Sequence, residues 1–158
     1  MHICITYLRA PHSAGIVSRE PHVSSAAIMG AARLLFEFPG DFSSAAPKLL
    51  PSVALILQHS NSRELAKASL GLLKVAASRS SLESLQAILP SLMLALVRYS
   101  DDSKNRFRQR IRAVIERLMR KVGYQALHDA TPEEHRKLIR AVHKAKQRAK
   151  RGESIQSK

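Results

Sequence analysis

The chain has 158 residues, 45% hydrophobic but only 4% aromatic, with no Trp, a single Cys and a formal net charge of +14. One cysteine, Cys4, excludes a disulfide framework within the chain and fits a reducing compartment. No stretch reaches transmembrane length and the opening segment makes a poor signal peptide, so a soluble intracellular protein is expected.

In chain order, residues 1–21 lack a sustained period and are broken by Pro11, Gly15 and Pro21, which predicts a poorly ordered segment. Helix then follows helix. The spacing of Ala27, Met29, Ala31, Leu34 and Leu35 predicts a helix over 24–38, ended by Pro39-Gly40. Leu49, Leu50, Val53, Ile56 and Leu57 predict a second over 42–58, with Pro47 and Pro51 bending or restarting its first turns. A third, over 63–77, carries Leu65, Ala66, Leu70, Leu73 and Val75 and opens on Asn61 with a capping-box Glu64. A second capping box, Ser80 to Glu83, opens a helix to about Arg98 that Pro90 should kink. Residues 105–122 follow, with Gly123 as a stop. Thr131-Pro132-Glu133-Glu134 opens the last helix, which should fray past Arg151-Gly152 and leave 152–158 as a disordered tail. No strand pattern competes, so the class is all-α.

The helices repeat. Arg63, Ala66, Leu70 and Leu73 recur as Arg108, Ile111, Ile115 and Leu118, 45 residues later, with a weaker copy near Ala27 to Leu35. That is the period of HEAT and armadillo helical hairpins, none of which buries its apolar face alone. The expected fold is therefore a HEAT/armadillo-type solenoid, or superhelix, over 22–122, with a turn and a basic helix over 123–151. Because the first unit owns only its second helix, the chain reads as the C-terminal end of a longer array.

Charge is concentrated at that end. From Lys104 to Lys158 there are 17 Lys and Arg against 5 Asp and Glu, whereas residues 1–103 are nearly neutral. In 104–122 an apolar stripe of Phe107, Ile111, Val114, Ile115, Leu118 and Val122 is flanked by Arg106, Arg110, Arg117 and Arg120-Lys121 on one side and by Arg108 and Arg112 on the other. In the last helix Lys137, Arg140, Lys144, Arg148 and Arg151 fall on one line, opposite a narrow seam of His135, Leu138, Val142, Ala145 and Ala149. Glu116 alone cannot neutralise the first set, so phosphates are the expected partners. The RNA-binding candidates are Arg106, Arg110, Arg117, Lys121, Lys137, Arg140, Lys144, Arg148 and Arg151. Lys144, Lys146, Arg148, Lys150 and Arg151 also form a run that an import receptor reads. With Phe107, Tyr124 and the histidines as the sole stacking groups, base-specific readout is not expected. His128-Asp129 and Glu133-Glu134-His135 lack metal-ligand spacing, and no Walker or dinucleotide loop is present, so neither catalysis nor a cofactor is expected.

Four stretches, AAIMGAARLLFEFPGDF, SRELAKASLGLLKVAA, YSDDSKNRFRQRIRAVIERLMRKVGYQAL and TPEEHRKLIRAVHKAKQRAKR, resemble the C-terminal HEAT region of the ribosomal RNA-processing protein 12 family. The similarity covers roughly residues 22–151. It implies a non-catalytic scaffold and RNA-binding protein of ribosome biogenesis, acting in pre-rRNA processing and in maturation and export of small-subunit precursors. Nuclear and nucleolar localisation, shuttling to the cytoplasm, and partners among pre-rRNA, pre-ribosomal proteins and nuclear transport factors follow from the same resemblance; a membrane or small-molecule partner does not. The rival reading is a protein-interaction solenoid of the nuclear transport-receptor or adaptor type. Such receptors for basic signals are usually acidic, whereas this chain has a pI near 10.8.

Overall fold

The structure is a computed structural model that describes residues 16, 18–42, 45–102 and 107–156, with the side chains of 41, 42, 46, 101, 102, 150 and 152–156 left aside. Every element among the described residues is helical: α1 (Pro21–Glu37), a short α2 (Pro39–Phe42), α3 (Ala46–His59), α4 (Arg63–Arg79), α5 (Leu82–Asp102), α6 (Arg108–Val122), α7 (Tyr124–Asp129), a 3₁₀ turn at Glu133–His135, and α8 (Arg136–Gln156). Setting aside the short α2, alternate helices pack most extensively, α1 on α4, α3 on α5 and α4 on α6. This is the solenoid arrangement, two parallel layers of stacked hairpins, with α3 and α5 in one and α1, α4 and α6 in the other.

The repeat is visible in burial. Ser24, Ile28, Ala31 and Leu35 of α1, Ala66, Leu70, Leu73 and Ala77 of α4, and Ile111, Ile115 and Leu118 of α6 are all buried. They share one register, offset by 42 and then 45 residues. On α6 this row faces α8, because Ile111 and Ile115 line a cleft with Leu138 and Val142. The opposite flank reaches backward. The Arg79 guanidinium of α4 lies 4.7 Å over the Phe36 ring of α1, and Arg117 of α6 donates to Ser78 Oγ of α4 at 2.9 Å. Each helix of this layer therefore buries the same row of residues. Ile28, not Met29, is the core residue of α1; Met29 is exposed.

Several boundaries moved for local reasons. Pro21 is the first residue of α1, where its missing N–H costs nothing. Ile16 is buried against the core, so the end of the 1–21 segment is packed rather than loose; residues 1–15 and 17 lie outside the described residues. Ser62, not Asn61, caps α4, accepting from Leu65 N. Ser81, not Ser80, opens α5: its Oγ accepts from Ser84 N at 3.2 Å. Ser80 is already committed as the buried C-cap of α4, its N–H donating to Ala76 O. Pro51 and Pro90 sit inside α3 and α5. Both helices continue through them, with Pro51 half-buried and Pro90 exposed, each at the loss of one backbone bond. α8 runs to Gln156, past the end expected near Arg151, since a Gly inside a helix costs only about 1 kcal/mol.

Gly123 ends α6 and starts α7 with φ +95° and ψ 160°, backbone that a side chain rarely adopts. An added Cβ there would meet nothing within 4 Å, so space is not the constraint. Gly123→Ala is expected to lower unfolding free energy by about 1–3 kcal/mol, measured by urea denaturation. A neutral effect would mean the turn relaxes.

Candidate nucleic-acid interface

The basic surface is built on α6 and α8. α6 is held against α4 and α5, and α8 docks on α6 and α7 through Ile139 and Val142, both buried, with Leu138 half-buried beside them. The expected seam of 135, 138, 142, 145 and 149 is thus shifted. Ile139 is buried and Ala149 is exposed. Opposite Ile139 and Val142, Lys137, Arg140, Lys144, Arg148 and Arg151 are all exposed. Residues 136–151 contain eight Lys and Arg and no carboxylate, so Arg140, Lys144 and Arg148 have no acid within four residues along the helix. Arg136 is the exception at its start, donating to Glu133 Oε1 at 3.1 Å and to the Thr131 carbonyl.

The α6 cations divide. Arg110 is exposed, 6.0 Å from the Phe107 ring. Arg112 is paired with Glu116 at 3.0 Å, a bond between exposed groups worth only a few tenths of a kcal/mol. Arg117 and Lys121 are half-buried and turned to the C-terminal end of α4, where Arg117 meets Ser78 Oγ and Lys121 Nζ donates to the Ser78 carbonyl at 3.2 Å. There they satisfy a terminal carbonyl and complement the negative end of the helix dipole. Arg106 lies outside the described residues. In the import candidate, Lys144, Arg148 and Arg151 face outward, Lys146 is half-buried on the other side, and the Lys150 side chain is outside the described residues.

α7 and the turn after it are the part that sequence periodicity missed. Thr131 is buried, and its hydroxyl donates to the Leu127 carbonyl at 2.6 Å, closing α7 instead of capping α8. The 3₁₀ turn at 133–135 then leads into α8. α7 holds Tyr124 against α8, where its ring stacks on His143 with centroids 4.3 Å apart and 29° between planes. His128 lies on Tyr124 at 5.7 Å and 3.4 Å from Asp129 Oδ1, which also accepts from Gln125 at 3.0 Å. Glu133, Asp129 and His128 are thereby occupied in local structure. The Gly123-Tyr124 pair was the only signal in the sequence for this corner.

Stacked helical hairpins followed by a strongly basic helix make this a helical-repeat protein with a cationic edge. The chain is 33% identical over 139 residues to ribosomal RNA-processing protein 12 of Saccharomyces cerevisiae, covering 88% of this chain and 11% of the yeast protein. It is 31% identical over 153 residues to the human RRP12-like protein, covering 96% and 11%. The putative ribosomal RNA-processing protein 12 of Schizosaccharomyces pombe is 29% identical over 136 residues. No family model matches the chain. It belongs to the ribosomal RNA-processing protein 12 family, and spans about a tenth of the length of the curated relatives it matches.

Proposed function

We propose that the chain is a non-catalytic HEAT-type scaffold that holds RNA by its phosphate backbone during ribosomal RNA processing. The relatives' names supply the process. The observation that carries the RNA reading is the outward row Lys137, Arg140, Lys144 and Arg148 on a helix stretch without a single carboxylate. Arg110 and Arg151 extend it; Arg117 and Lys121 join α6 to α4 and contribute long-range potential more than direct contact. The role extends to maturation and export of small-subunit precursors in the nucleus and nucleolus, with the 144–151 run as import signal and pre-ribosomal proteins as neighbours. A salt titration of RNA binding tests this. Six phosphate contacts on a single strand give a slope of log K against log salt near about −4; salt-independent binding would overturn the reading.

The protein-interaction alternative has one feature in its favour. An open cleft of about 580 Å³ between α6 and α8 is walled by Ile111, Ile115, Leu138 and Val142 and rimmed by Arg108, Arg112, Glu134 and His135. With two Arg against one Glu, the rim suits an acidic segment better than the basic signals that transport receptors carry.

A further inference from the structure

The corner where α7 meets α8 has chemistry that a phosphate-binding row does not need. Met119, Tyr124, His143, Lys146 and Gln147 line a hollow of about 180 Å³. That is below the ~300–1,000 Å³ of ligand clefts and suits one planar group. We propose that it seats a nucleobase of single-stranded RNA, a site that rests on the phosphate reading above and adds strand-type selectivity to it.

Three observations support the seat. The first is the aromatic wall. Tyr124 and His143 are already stacked at 4.3 Å, and Tyr124 is fixed at its base by the Gly123 turn. A base joining this pair orders little that is not ordered already, and stacking on an aromatic face accepts any base. The second is polar. Gln147 Nε2 lies 3.3 Å from His143 Nε2. That contact holds the Gln147 amide beside the imidazole ring. The amide keeps a carbonyl oxygen and a second N–H for a base edge. The third is position. Arg140, His143, Gln147 and Arg151 follow one another at three- and four-residue steps along α8, with Lys144 beside them. A strand whose phosphates track Arg140, Lys144 and Arg151 therefore passes the mouth of the hollow. A duplex keeps its bases stacked inside and cannot fill it.

The test compares the full chain's affinity for a short unstructured RNA with that for an abasic ribose-phosphate oligomer of equal length and charge. The base-bearing RNA should bind about 5- to 150-fold more tightly at the same salt slope, the range expected for one stacked base. Tyr124→Leu and His143→Leu, made separately, should each abolish that advantage while leaving abasic binding and its salt slope unchanged. Leu keeps apolar packing at both positions, and retained abasic binding reports a folded protein. Equal affinity for the two oligomers, with salt dependence intact, overturns the seat and leaves the phosphate reading standing. An advantage that survives both substitutions also overturns it, since the base then stacks elsewhere. If neither oligomer binds, the phosphate reading has failed first and the seat falls with it.

Discussion

Replacing Lys137, Arg140 and Lys144 together by Ala is expected to weaken binding to every RNA by about 50-fold near 0.15 M salt. It should also flatten the salt dependence by about two units. Each lost phosphate contact removes about 0.7 from the slope on a single strand, and the affinity loss follows from the same counterion term. All sequences should weaken alike, because phosphates carry no sequence information. The fold should survive. The three side chains are exposed, opposite Ile139 and Val142, and none of them takes part in the joints that Arg117 and Lys121 make with α4. Fluorescence anisotropy across a salt series measures both quantities on one protein. A triple Glu variant that binds with unchanged affinity and slope would remove α8 from the interface and give the lead to protein docking.

Leu70→Ala should cost about 2–5 kcal/mol of unfolding free energy, the range for a buried Leu truncated where its surroundings cannot collapse. Leu70 is 2% exposed, in the buried row of α4, a helix packed against α1, α3 and α6. Losing it opens a joint between stacked helices, and in a solenoid such joints carry the stability. Arg140→Ala should change stability by no more than about 0.5 kcal/mol, as exposed helix positions usually do. Urea denaturation of the two variants compares them directly. Equal losses would mean that the register of α4 has been misassigned.

The repeat was legible because a HEAT hairpin writes its packing into local periodicity. Arg63 and Arg108 begin α4 and α6 in the structure, and the 45-residue recurrence seen in the sequence is the spacing of two helices that touch. The caps were legible only to within a residue. In Asn61-Ser62 and Ser80-Ser81 two adjacent side chains can serve as N-cap, and at Ser80-Ser81 the preceding helix decides which one is left. Ser80 was taken by α4.

By itself the sequence determined the long helices, their repeated register, and a basic outer row on α8, since each depends on which face of one helix a residue occupies. Tertiary structure alone decided how those faces were used. Arg117 and Lys121 look like Arg110 along the chain, yet stacking of α6 on α4 brings them to the carbonyl end of α4, while Arg110 stays exposed. Tyr124 and His143, 19 residues apart on different helices, become a stacked pair because Gly123 turns the chain with a positive φ and Thr131 closes α7 back onto Leu127. Periodicity reports the face a residue lies on; only the docking of that face fixes its partner.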